Sequence, residues 1–269
     1  MDLTKQIIMM YDKNLINTTT KKVTYINPII ELDKDREKGL LSGDGQYNPC
    51  EYKQVNSSTG LAVNYYLILE ETGKIEDLEF EDKVEKPLKI KGGRKANIDV
   101  SYKREGKIVY VESKFLEPYY SSNETNREAY FDTKNYDVPD SDKNAWYDLL
   151  TDAQKYKFYN FSQLCRHLMA IWRKHKNDET PTPIVLQSVT WMMTDNFINA
   201  IDCTSDKENM IERRKVIKEE AIKCKERIDR FLIQIGWENM TFEVLNYNNM
   251  LDEIAFSKHL EEFKKRYFL

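Results

Sequence analysis

The stretch NIDVSYKREGKIVYVESKF, residues 97–115, decides how the rest of the chain is read. Residues 97–102 and 107–115 are rich in β-branched and aromatic side chains, and Arg104-Glu105-Gly106 between them has the composition of a tight turn, so the segment is predicted to be a β-hairpin. Side chains alternate across a strand, which puts Glu112 and Lys114 on one face and Val111, Ser113 and Phe115 on the other. Pairing across the Glu105-Gly106 turn brings the Asp99 carboxylate beside Glu112. Two acids and a lysine then converge. Two hard carboxylates are a usual protein contribution to a Mg²⁺ site, and an ammonium beside them can orient a water and stabilise charge on a phosphoryl group.

Upstream, Ser57, Ser58 and Thr59 offer N-caps to the apolar run Leu61 to Leu69, which Gly73 ends, predicting a buried helix. From Ile75, Leu78, Phe80 and Val84 partly alternate with charges, predicting a strand before Pro87 and Gly92-Gly93. Downstream, residues 117–156 are rich in Tyr, Asn, Asp and Ser and read as a long loop or a set of short turns. Phe161, Leu164, Cys165, Leu168, Met169 and Trp172 recur at helical spacing within residues 160–175, and Pro183 to Trp191 is predicted as a buried strand. The order is helix, three strands, helix, strand.

With Asp99 on one strand and Glu112-Ser113-Lys114 on the next, in that succession of elements, the chain resembles the PD-(D/E)XK nuclease superfamily of restriction-endonuclease-like folds. The resemblance implies an α/β fold with an αβββαβ core on a mixed central sheet at about 57–191, an N-terminal extension, and C-terminal helical additions at about 206–269, all in one nuclease-like domain over 1–269. It implies a metal-dependent phosphodiester hydrolase, a bacterial restriction-endonuclease-like DNase, with DNA as partner and a homodimer as its assembly. Asp99 and Glu112 would bind Mg²⁺ or Mn²⁺, the Ser113 carbonyl would be a further ligand, and Lys114 would serve the water. Ile98 stands where the motif's name has proline.

The RecB-like branch of that superfamily has a glycine-rich approach to the aspartate and a QxxxY pattern on the following helix. Here Gly92-Gly93 precede Asp99, Gln163 matches the glutamine, and His167 stands at the tyrosine position; both are expected to position the substrate or the lysine. Many members carry a glutamate on the first helix. This chain has Asn64 there, which could hydrogen-bond a metal-bound water, or Glu70 could take the acidic role. Arg94, with Lys89, Lys91 and Lys95, and Arg166, with Lys174 on the polar face of the 160–175 helix, are candidate phosphate contacts.

The composition bounds these expectations. Among 269 residues, 41 basic and 45 acidic side chains leave a net charge of −4, so a nucleic-acid surface has to be a local basic patch. A hydrophobic share of 41%, with 12% aromatic, excludes disorder throughout. Cys50, Cys165, Cys203 and Cys224 have no CxxC spacing and read as reduced thiols of the cytosol. The start MDLTKQIIMMYDKN lacks the pattern of a signal peptide, and no run approaches ~18 apolar residues, so a cytoplasmic protein without a membrane partner is expected.

Outside the core, Ile29, Ile30, Leu32, Leu40 and Leu41 predict a helix broken by Gly39, Gly43 and Gly45, then a polar loop through Asn56. Asp206 to Ile235 is predicted as an amphipathic helix with Met210, Ile211, Ile217, Ala221, Cys224, Ile228, Phe231, Leu232 and Ile235 as its apolar positions and its charges in solvent. A short strand at Phe242-Glu243-Val244 and a last helix from Met250 to Tyr267 follow. The tryptophans at 146, 172, 191 and 237 are assigned to the core, and His175 and His259 receive no function. Two other readings stand beside the nuclease: a catalytically degenerate nucleic-acid-binding or assembly subunit of the same fold, and an interaction module built on the long charged helix.

Overall fold

The computed structural model describes residues 16–19, 24–41, 51–54, 56–120, 125–199 and 204–268. Strands β1 (Ile16–Thr19) and β2 (Thr24–Ile26) pair as a small antiparallel ribbon ahead of α1 (Lys34–Leu41). Then come α2 (Ser58–Glu71), β3 (Glu76–Lys83), β4 (Asn97–Arg104), β5 (Lys107–Lys114), α3 (Glu117–Tyr120), α4 (Lys143–Ala153), α5 (Phe161–His175) and β6 (Ile184–Thr190). The chain continues through α6 (Asp195–Asn199), α7 (Thr204–Gln234), β7 (Met240–Asn246), α8 (Tyr247–Met250) and α9 (Leu260–Tyr267). β3 to β7 lie in chain order across one mixed sheet, antiparallel from β3 to β5 and parallel from β5 to β7. The fold is the expected α/β one: α2, β3, β4, β5, α5 and β6 reproduce the αβββαβ succession, and β7 adds a strand.

Local chemistry accounts for the elements that hold the site. Glu105 and Gly106 have φ of 52° and 73°, so the β4–β5 turn is a two-residue loop with both central residues left-handed, and Gly106 takes its place without a Cβ penalty. That turn sets Arg104 opposite Lys107 and Val100 opposite Val111. The Ser57 hydroxyl accepts the Gly60 N–H at 3.1 Å and caps α2, whose residues from Thr59 to Leu69 are all buried, as befits a helix covered on every side. β5 and β6 are parallel and need a crossover, which carries α5 across the sheet. At the far end α9 closes on α2: the Tyr267 carbonyl accepts Trp191 Nε1–H at 2.8 Å, and the Tyr267 hydroxyl accepts from Asn64 Nδ2 at 2.8 Å.

Several expectations are corrected. Residues 117–156 are not a bare loop, because they hold α3, short 3-10 turns and α4, where Ala145, Trp146, Leu149, Leu150 and Ala153 are buried. Those five positions follow helical spacing, masked in sequence by the polar residues between them. The last helix does not run from Met250 to Tyr267: a 3-10 turn at Leu251–Ile254 and a break through Ser257 precede α9. Ile254 and Phe263 are both fully buried, and nine residues of continuous helix would turn them to opposite sides. Gly39 lies inside α1 instead of breaking it, whereas Gly43 and Gly45 fall outside the described residues. Ile211 faces outward on α7. Trp146, Trp191 and Trp237 are buried and Trp172 packs against the core.

Candidate active site

Asp99 sits near the start of β4 and Glu112 and Lys114 at the end of β5, at the carboxyl end of the parallel β5–β6 pair where open α/β sheets place their ligands. One step past the Val100–Val111 pair, the hairpin puts Asp99 across from Glu112. The Asp99 carboxylate accepts the Ser113 backbone N–H at 2.7 Å, so a side chain supplies an acceptor where a strand carbonyl ordinarily would. Lys114 Nζ lies 2.5 Å from one oxygen of the buried Glu112, and His167 Nε2 lies 2.6 Å from the other. The Ser113 hydroxyl, buried behind them, shares a hydrogen bond of 2.8 Å with the Tyr247 hydroxyl.

Burial sets the electrostatics. Burial, and next the charge of Glu112, raise the Asp99 carboxyl well above the ordinary carboxylate range. Burial would raise Glu112 as well, but Lys114 and His167 more than reverse it and hold that carboxyl at about 2. For Lys114 burial works downward, and Glu112, Asp99 and Glu117 outweigh it, so the ammonium is held above its usual value. The result is one fixed carboxylate with its counter-cation beside a second carboxylate that is short of positive charge. Two crowded carboxylates, one of them under-compensated, form a donor set that fits a hard divalent cation. Among the described residues no group of three or more His, Cys, Asp or Glu side chains is placed to hold a metal ion.

A family model described as restriction endonuclease associating with ARP matches residues 19–268. The chain belongs to this family. No curated protein and no solved structure matches it.

In this restriction-endonuclease-like protein a cleft of about 620 Å³ lies beside the site, between the Gly92-Gly93 loop and α5. Lys86, Lys91, Arg94, Lys95, Arg127 and Arg166 line it, with no acid among the lining residues. His167 joins cleft and site, since it lines the first and binds Glu112 in the second. It is buried, and its Nδ1 has no partner among the described residues. Gln163 also lines the cleft and accepts a hydrogen bond from Asn160 Nδ2. Arg166 donates to Asn126 Oδ1 at 3.2 Å.

Other candidates are placed elsewhere. Asn64 accepts the Ile29 N–H at 2.7 Å and donates to the Gly60 carbonyl and Tyr267, while Glu70 makes a two-pronged pair with Arg36 at 2.6 and 2.7 Å. Lys89 is paired with Asp137 at 2.6 Å, and Lys174 lies over the Tyr110 ring near Asp82, on a different surface from the cleft. The acid that does approach Asp99 is Glu81 of β3, a residue the strand pattern does not single out. It is buried, accepts from Asn97 Nδ2, and its charge raises Asp99 further. Its φ of 57° and the register slip between Glu76 and Glu79 break the alternation by which an inward residue would be recognised. Arg127, from a segment read as loop, carries no sequence signal beyond its charge.

Proposed function

We propose that this family member is a metal-dependent nuclease of the PD-(D/E)XK type that hydrolyses phosphodiester bonds in DNA. The observation that carries the reading is the meeting of Asp99, Glu112 and Lys114, joined through His167 to a neighbouring cleft lined by six cations and no acid. Asp99 and Glu112 would hold Mg²⁺ or Mn²⁺, with the Ser113 carbonyl as a further oxygen. The bound metal would lower the pKa of a water and neutralise phosphate charge. Lys114, fixed on Glu112, orients that water and stabilises charge as it builds on the phosphoryl oxygens. His167 holds the Glu112 carboxylate in one orientation, a positioning role, and Gln163 faces the substrate side. Lys91, Arg94, Lys95, Arg127 and Arg166 bind backbone phosphates, which gives an acidic protein a local polyanion-binding surface. The hydrophobic cluster runs without interruption from α2 to α9, which supports reading the chain as one nuclease-like domain.

The test is incubation of the purified chain with supercoiled plasmid, linear duplex and single strands, with and without Mg²⁺ or Mn²⁺, beside Asp99→Ala and Glu112→Ala. Cleavage that needs the divalent ion, and loss of calorimetric Mn²⁺ binding in both variants, is the expected result. Mn²⁺ binding unchanged in both variants overturns the site. DNA binding without cleavage under every condition replaces the reading with the catalytically degenerate subunit.

A further inference from the structure

The long helix α7 carries an exposed stripe that the nuclease reading does not use. Ile211, Ile222 and Ile233 are 49%, 61% and 80% exposed, unlike Ile217 and Ile228 of the same helix, which are buried. They recur every eleven residues, and at about 100° per residue eleven residues bring a side chain back to within about 20° of its starting direction. The three isoleucines therefore form one straight line about 33 Å long on the face opposite the buried Glu220 and Phe231. Between them on the same line stand Lys215, Lys218, Glu226 and Asp229, at the i, i+4, i+7 spacing of a helix seam.

Read from either end, the line is complementary to itself. Turned end for end about Ile222, Ile211 falls on Ile233, Lys215 on Asp229, Lys218 on Glu226, and Ile222 on itself. Lys215, Lys218 and Glu226 have no ion pair among the described residues, and Asp229 has only its neighbour Lys225 at 2.7 Å, with both side chains partly open. A helix that merely faced water would have no reason to keep three isoleucines in register with cations on one side of the centre and acids on the other. A two-fold symmetric contact presents the same patch from both copies, so each off-axis pair occurs twice.

We propose that α7 is the interface between two copies of this chain, packed antiparallel with the two-fold axis at Ile222. Lys215 and Lys218 of each copy then meet Asp229 and Glu226 of the other, and the isoleucines cover one another. A parallel pairing sets lysine against lysine and acid against acid, so the charges choose the direction as well as the partner. The inference stands apart from the nuclease reading and needs no metal.

The test is sedimentation equilibrium of the full chain from micromolar to about 100 µM. The parent is expected to dimerise within that range. Lys218→Glu places like charges in both symmetric contacts and should weaken association at least about tenfold, and Lys218→Glu combined with Glu226→Lys should bring it back. Both positions are exposed, and recovery by the second reversal cannot come from misfolding. A chain that stays monomeric means that another segment or partner covers the stripe, and it overturns the proposal. So does a dimer that tolerates Lys218→Glu, or one that the double reversal does not restore.

Discussion

Lys114 stands 2.5 Å from a carboxylate with almost no exposure to water, so its loss has two separable effects. The first is on stability: Lys114→Met leaves Glu112 buried with His167 as its one remaining polar partner, and should cost about 2–3 kcal/mol in metal-free protein by urea unfolding. Added Mn²⁺ should recover most of this, because a cation that binds only the folded state stabilises it by mass action. The second effect is on rate. Cleavage by the variant should fall roughly 100-fold or more at saturating metal, the size expected for a charge that acts mainly in the transition state. Parental cleavage in a destabilised variant would leave Lys114 a structural counter-ion only. The Glu112–Lys114 pairing was readable from sequence because a strand has a period of two. His167 on Glu112 was not, since nothing in one helix says which strand it will cover.

Where elements meet, two acids do the joining. Glu220 of α7 is buried and accepts the backbone N–H groups of Lys157, Phe158 and Tyr159 at 2.7, 2.9 and 2.9 Å, which fixes the turn leading into α5. Glu220→Ala leaves those donors without an acceptor and should cost about 2–3 kcal/mol, with hydrogen exchange fastest to rise at amides 157–159. Asp137 gathers Lys89, Lys176 and Arg173 at 2.6, 2.6 and 3.0 Å, tying the glycine-loop side of the cleft to the end of α5. Burial alone would raise its carboxyl, and the three cations hold it well below the ordinary range. The folded value lies under the unfolded one of about 3.9, so the contribution is full at neutral pH and fades as pH falls below about 4. Asp137→Asn should therefore be about 2 kcal/mol less stable than the parent at pH 7, with the gap narrowing steadily in urea titrations between pH 4 and pH 2. Neither junction could be read in advance. The sequence around Asp137 has the composition of a loop, and an acid on α7 looks like any other solvated charge until its partner is known.

For the molecule as a whole, the net charge of −4 conceals a cleft of one sign. DNA affinity should fall steeply with salt. Replacing Lys91, Arg94 and Lys95 by Gln should flatten the slope of log affinity against log salt by about 2–3, since each phosphate contact contributes about 0.9. Lys174→Gln should leave the slope alone, because that side chain lies beyond the cleft. The succession of strands along the chain, the hairpin and the helix at α5 follow from hydrophobic period and turn chemistry, which are local, and were all expected. Glu81, α4 and the outward isoleucines of α7 depend on backbone irregularity or on what packs against what, and local pattern does not hold that information. The clasp of α9 on α2 also bears on how the protein is made. Arg266 reaches the Asn27 carbonyl at 2.6 Å and Tyr267 reaches Asn64 and Trp191, so residues near the start of the core wait for partners translated more than two hundred positions later. A polypeptide still being synthesised, or cut short by a premature stop before Arg266, lacks the strap that closes α2. The packing of α2 is therefore completed only once residues 266 and 267 have left the ribosome.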